Sequence, residues 1–353
     1  MKAGQPRAHD LRSEIEQTLT VAQTLANIKP GKALALAAQG RQLAESIEYQ
    51  AGQALACHIE AAAHSAANAM PEAEAAAALA LALAEAFSLW PLWFDTLDLK
   101  AGIAYDQEHY EVAADLWLRS LEHGFERHDA LAVLRAYVGL GKVFFMYDDR
   151  ATTTVMLNKA REYLPQISRL DVAFGLHINL AADAIRRDDL PAALAELTHA
   201  EALLGRMGYC HYEHELYYYR GHICRRQGEL AQALYHLERS LALNASTSNR
   251  WGKTVNLIEL GETCLDMGQL HAAHYYLTSV ADAPSLYLQI QTHAGLARVN
   301  AAMGRTDREF VHWQKHFELA ETMAEAAAQP QVAQLRHKAL AERMRSLETR
   351  RQG

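Results

Sequence analysis

Cysteine is scarce in this chain of 353 residues: Cys57, Cys210, Cys224 and Cys264 lie far apart and form no C-x-x-C pair. A disulfide framework and a zinc framework are both excluded by that spacing, and reduced thiols in the cytoplasm are expected. Proline is scarce too, at eight residues. No run of 18 apolar residues occurs. The longest weakly polar stretch, Ala75 to Ala84, is mostly alanine and ends at Glu74 and Glu85, so no membrane span is expected. The opening MKAGQPRAHDLRSEIEQ has no apolar core, so no secretory signal is expected. An excess of positive charge is missing. Lys and Arg number 34 against 42 Asp and Glu, a net charge of -8, which argues against a nucleic-acid partner. Neither G-x-S-x-G, nor a P-loop, nor G-x-G-x-x-G after a strand, nor H-E-x-x-H is present. No catalytic residues, no metal and no cofactor are expected.

Alanine, by contrast, makes up roughly a fifth of the chain and half the residues are hydrophobic, a mixture that favours helix and supports a large core. The alanines fall into a repeat. Tyr217-x-x-Arg220-Gly221-x-x-Cys224, Gly228-Glu229-Leu230 and Ala233-x-x-x-Leu237 recur 40 residues later. There they read Leu257-x-x-Leu260-Gly261-x-x-Cys264, Gly268-Gln269-Leu270 and Ala273-x-x-x-Leu277. Earlier copies run through Leu180-Ala181, Asp188-Asp189 and Ala193, and through Leu140-Gly141, Asp148-Asp149 and Thr153. The turn falls at 148, 188, 228 and 268. Fainter copies flank these, around Ala113 and Trp117, around Ala297 and Trp313, and around Ala33 and Ala75.

Each copy predicts a pair of helices. A small residue on the first helix (Gly141, Ala181, Gly221, Gly261) admits the alanine of the second (Ala113, Ala193, Ala233, Ala273). The larger residue four positions after that alanine is expected to fill the space toward the next unit. Pro30, Pro71 and Pro191 sit where second helices begin. Pro165, Pro284 and Pro330 sit between units.

These residues resemble the tetratricopeptide repeat, with a period of 40 in place of 34. The resemblance implies an all-α fold: a right-handed α-α superhelix of about eight helix pairs plus a C-terminal helix, with a concave face made by the first helices. The expected organisation is a flexible N-terminus over 1–14, a solenoid over 15–320 (degenerate repeats over 15–90, clear ones over 95–320), and a basic helix over 330–353. That last segment carries Arg336, Lys338, Arg343, Arg345, Arg350 and Arg351 against Glu342 and Glu348, with an apolar seam of Leu340, Met344 and Leu347. It reads as a cap on the array or as a linker with weak dimer-forming capacity.

The resemblance also implies a function: a non-catalytic protein- or peptide-binding module of a bacterial regulatory system. Two alternatives belong to other classes. One is the sensory part of a larger signalling enzyme such as a diguanylate cyclase, whose layout of repeats and charged helix is similar; no GGDEF-type segment occurs here. The other is a peptide-sensing transcriptional regulator, for which residues 1–28 are too short to supply the helix-turn-helix.

The unusual segment Tyr209 to Arg226 concentrates aromatic and basic residues. Tyr218, His222, Arg225 and Arg226, with Arg186 one unit earlier and Lys142 one before that, take first-helix positions that face the interior in this family. Cations beside an aromatic could hold acidic side chains or a C-terminal carboxylate, unless Glu262 and Asp266 neutralise them from the neighbouring unit. The clamp of chaperone-binding members is not reproduced, since its Asn position holds Lys142, Ala182, His222 and Glu262. His271 with His274, and His211 with Glu213 and His214, invite a metal hypothesis by their spacing, and they read as solvated or core-edge residues. Cys224 and Cys264 share one repeat position and read as packing thiols.

Overall fold

The computed structural model of the chain describes residues 5–327 and 330–352, except 209, 211, 246, 248 and 284. Tyr209, His211 and Pro284 therefore lie outside the described residues, as do the side chains of Arg336, Arg350 and Arg351. The chain divides into two compact units, Met1–Ser168 and Arg169–Gly353.

The first unit holds α1 (Gln5–Leu25), α2 (Pro30–Ser46), α3 (Gln50–Ala66), α4 (Met70–Ala86), α5 (Trp90–Asp106), α6 (Tyr110–Glu126), α7 (Ala130–Met146) and α8 (Arg150–Tyr163). Helix α1 thus begins inside the stretch read from sequence as an N-terminal tail. The second unit holds α9 (Leu170–Arg186), α10 (Leu190–Met207), α11 (Glu213–Arg226), α12 (Leu230–Asn244), α13 (Arg250–Asp266), α14 (Leu270–Thr278), α15 (Leu286–Ala302), α16 (Thr306–Ala327) and α17 (Pro330–Gln352). Among the described residues there is no strand, and no helix is long and apolar enough to cross a membrane.

The backbone repeats at half the sequence period. Helices α2 to α7 are each 17 residues long. A left-handed residue closes the turn after them at every twentieth position: Glu48, Asn68, Ser88, Glu108, His128 and Asp148, then Asp188, Gly208, Gly228 and Gly268 further on. All but Gly208 close a helix with the 6→1 bond of a Schellman turn, and Gly208 donates its own N–H to Leu204 O at 2.8 Å. Tyr49 N–H donates to Ala44 O at 2.8 Å, His109 to Ala104 at 2.8 Å and Gln269 to Cys264 at 2.8 Å. Asp129, Asp149, Asp189 and Asn249 then cap the following helix with a side-chain oxygen, which satisfies one of its orphan N–H groups.

Consecutive helices pack against each other from α1 to α8 in the first unit and from α9 to α16 in the second, and odd-numbered helices also meet: α1 with α3, α3 with α5 and α5 with α7; α9 with α11, α11 with α13 and α13 with α15. The odd helices therefore form the inner face of each stack. The contact between partners is built on alanine. Ala33, Ala73, Ala113, Ala193, Ala233 and Ala273 are all fully buried, spaced by 40 or 80 residues. Thr153 takes the same place in α8 and turns its hydroxyl onto Asp149 O at 2.8 Å. The second degenerate unit is thus registered on Ala73, and Ala75 is exposed.

One packing expectation is corrected. Leu157, Leu237 and Leu277 do not simply reach toward the next unit. Each lies against the glycine of its own partner helix, Gly141, Gly221 and Gly261. Leu277 extends to Gly295 as well, while Trp117 does reach the following helix, where it covers Gly139. Pro330 is the first residue of α17.

Candidate ligand-binding face of the second unit

Helix α11 carries Glu213 and Glu215 in its first turn and Arg225 and Arg226 in its last, the arrangement that the helix dipole favours. Its buried side, Leu216, Tyr217, Gly221 and Ile223, fixes its rotation. Tyr218, His222 and Arg225 are thereby left half-buried on the side turned to α13.

Arg225 is the centre of a polar network. Its Nε donates to Asp266 Oδ2 at 2.7 Å, one terminal nitrogen to Glu259 Oε1 at 3.2 Å and the other to Glu262 Oε2 at 3.3 Å. His222 Nδ1 donates to the same Glu259 oxygen at 3.0 Å, and Arg298 of α15 donates to Glu262 Oε1. Gly295 makes room for this: a Cβ there would lie 2.7 Å from Glu262 Oε1. Both glutamates are buried. Burial works against the Glu259 carboxylate, but hydrogen bonds and charge from His222 and Arg225 outweigh it and hold its pKa below the ordinary value. Burial dominates at Glu262, whose pKa stays raised against the pull of Arg298 and Arg225. Burial disfavours the Arg225 charge, yet Glu259 and Asp266 overcome it and raise its pKa. Tyr218 is pushed well above its usual range by burial, then by Glu259, Tyr219 and Tyr287, and its ring stacks on His222 at 6.3 Å.

The six residues singled out in sequence are not one set. Tyr218, His222 and Arg225 converge on α13. Arg226 turns the other way, onto Asp188 and onto Ile185 O at 3.5 Å at the end of α9. Arg186 ends α9. Lys142 belongs to α7 of the first unit, half-buried with Asp106 as a charge neighbour. The expectation of available cations is corrected at Arg225 and Arg226, whose guanidinium groups are paired with carboxylates of the chain. Glu259 and Arg298 went unnoticed in sequence. Their signal is positional: His222, Glu262 and Arg298 occupy one repeat position, separated by 40 and 36 residues, and Glu259 lies one turn before Glu262. Trp251 and Tyr287, also 36 apart, are 54% and 52% exposed on α13 and α15.

The first unit carries a related network. Arg135 of α7 pairs with Asp95 and, at 3.9 Å, with Asp98 of α5. Trp117 Nε1–H donates to Asp98 at 2.9 Å, and His58 meets the Thr96 hydroxyl at 3.0 Å.

Among the described residues no three ligating side chains converge as a metal site. His214 is buried against Asn249 at 3.0 Å, and Glu213 faces Arg239 at 3.9 Å. Burial raises the thiols of Cys224 and Cys264, which keeps them protonated and unreactive.

No protein-family model matches the chain, and no curated protein matches it. Solved structures do. The Rap protein complexed with Competence and Sporulation Factor aligns at a TM-score of 0.59 and 13% identity, over 96% of this chain and 99% of that one. The apo form of RapI gives 0.55 and 14%, over 74% and 94%. The STAND protein PH0952 from Pyrococcus horikoshii, which has a tetratricopeptide repeat sensor, gives 0.56 and 13%, over 92% of this chain and 49% of that one. With the fully helical pairing and the 40-residue sequence period, this likeness of fold identifies an all-α solenoid of the tetratricopeptide-repeat type.

Proposed function

We propose that the chain is a non-catalytic protein- or peptide-binding module, and that its contact surface is the odd-helix face of the second unit. The observation that carries this is a ledge of aromatics on the same three helices that hold the polar network. Tyr218, Trp251 and Tyr287 come from three successive odd helices, and the latter two leave about half their surface to solvent. Exposed aromatics on a rigid surface are preferred anchors for a partner. The network locks the helices that present them, so binding need not order the surface first.

The ligand chemistry follows from the pairing of the arginines. An acidic or C-terminal group would have to compete with Glu259, Glu262 and Asp266 for Arg225, and with Asp188 for Arg226. Apolar and aromatic side chains have no such competitor on the ledge, so a segment rich in them is the favoured partner. The Rap structure holds Competence and Sporulation Factor, an instance of this fold with a bound partner, and a regulatory, cytoplasmic role is the corresponding proposal here.

Selection of a random phage-displayed peptide library on the intact protein tests this. Enrichment of apolar or aromatic segments, whose capture is lost in Tyr287→Ala at unchanged melting temperature, is the expected outcome. Capture that Tyr287→Ala and Tyr218→Ala leave intact removes this face from consideration. Acidic segments lost in Arg225→Lys would shift the reading to carboxylate recognition.

A further inference from the structure

Histidines collect at one seam of the second unit, away from the network. His293 of α15 and His312 of α16 face each other with Nδ1 atoms 3.0 Å apart and rings stacked at 5.3 Å. Two imidazole nitrogens at this distance share one proton, one ring donating and the other accepting. The bond survives when one ring is protonated, because the second still offers a lone pair. It cannot survive when both are, because two N–H groups then point at each other.

The surroundings sharpen this. His274 of α14 and Arg308 of α16 lie beside His312. Lys315 and His316 of α16, and Asp282 ahead of α15, lie beside His293. Arg305, Arg308 and His271 lie beside His274. His316 spends its Nδ1–H on Ile290 O at 3.0 Å, and Lys315 is 3.5 Å from Glu318. Helix α13 brings Glu262 to α15 further along, where Arg298 holds it. Asp282 favours charge on His293, but the other neighbours of the pair are cationic or become so in acid. With no third ligand converging among the described residues, and with Arg308 and Lys315 at its edges, the pair is suited to a proton and not to a metal ion.

We propose that the His293–His312 contact is a proton-operated latch between α15 and α16, closed while at least one ring is neutral and opened when both are charged. The latch joins α15 to α16, and opening it exposes the α15 side of α16. Burial first, and then the neighbouring cations, depress His274, His293 and His312 below the ordinary value. The sign follows: the unfolded or opened seam binds protons first. Closure is fully favoured above the ordinary histidine pKa of about 6.5 and is lost progressively as pH falls below it.

Hydrogen exchange on the full chain at about pH 7.5 and about pH 5 reads the latch. After correction for intrinsic rates, amides over 286–324 should exchange about tenfold faster in acid, while α2 to α6 stay protected. In His312→Gln, which keeps a hydrogen-bonding side chain but cannot charge, the acid effect should shrink to what His274 and His293 contribute on their own. No selective acceleration in the wild type, or an undiminished one in His312→Gln, overturns the proposal. Should His312→Gln fail to fold, an NMR titration of the wild-type rings decides. The latch requires two linked steps, the second well below the first, and two independent ordinary titrations overturn it.

Discussion

Leu237 occupies the space that a side chain on Gly221 would need: a Cβ built on the glycine would lie 2.6 Å from Leu237 Cγ, and 3.2 Å from the carbonyl oxygen of Ala233. Gly221→Ala should therefore overpack the α11–α12 contact and cost about 1–3 kcal/mol, seen as a lowered melting temperature. In a Leu237→Ala background only the Ala233 carbonyl oxygen, at 3.2 Å, still crowds the added methyl group, so most of its cost should disappear. Ala233→Leu should cost a similar amount. Gly175 is the control. Nothing lies within 4 Å of a Cβ there, and Gly175→Ala should stabilise α9 by about 0.5–1 kcal/mol. Equal responses at positions 175 and 221 would contradict this assignment of the contacts.

Glu108 closes the α5–α6 turn with φ 62 and Gly228 closes the α11–α12 turn with φ 79. A left-handed non-glycine residue costs about 1–2 kcal/mol, and glycine returns part of that through the entropy of the unfolded chain. Glu108→Gly should raise stability by up to about 1 kcal/mol, whereas Gly228→Ala should lower it by about 1 kcal/mol or more. Urea midpoints for the two variants should move in opposite directions.

Arg225 and Arg226 are adjacent and should behave differently. Arg225→Ala leaves two buried glutamates without their shared cation, which costs up to about 3–5 kcal/mol when a pair is fully buried and less here, where the side chain is 22% exposed. Arg226 pairs on the surface, and Arg226→Ala should cost less than about 1 kcal/mol. The acid limb should change as well. Glu259, held below its ordinary value, contributes stability above its unfolded pKa that is lost as pH falls through the folded one. Arg225→Ala should flatten that loss in chemical unfolding measured below about pH 5. An unaltered acid limb would place the stabilisation elsewhere.

Leu340, Met344 and Leu347 are buried within the single chain, at 8%, 3% and 9% exposure. A capping role for α17 follows as a proposal, since solenoids need their last apolar face covered. Deleting 331–353 should uncover the apolar surface that these three residues cover, and light scattering should report association. A tight dimer that becomes a stable, dispersed monomer on truncation would instead mark α17 as a linker.

The repeat was legible because its packing contacts demand small residues at fixed spacing. Gly221, Gly261 and the buried alanines can be replaced only at the cost of overpacking, and so the 40-residue pattern stands out. Turns without glycine hid the finer period. Glu48, Asn68, Ser88, Glu108 and His128 carry no common letter, because a Schellman turn is satisfied by backbone bonds and several residue types tolerate the left-handed position at modest strain. Hence Ala75 could be taken for Ala73 in the degenerate units.

The candidate site divides along a similar line. Residue types on the inner positions of α11 were readable from the repeat, since helical periodicity assigns each position to a side. Their electrostatic state was not. Arg225 and Arg226 are neighbours in the chain, yet one is drawn to three carboxylates about 40 residues ahead and the other to one about 40 residues behind. Sequence by itself determined the helix pairs and their order, because these rest on local spacing and side-chain volume. Only the tertiary structure decided which charges meet, that Gly295 leaves room for Glu262 to reach Arg298, and that His293 and His312 share a proton. Those outcomes depend on distances between separate helices that no local pattern encodes.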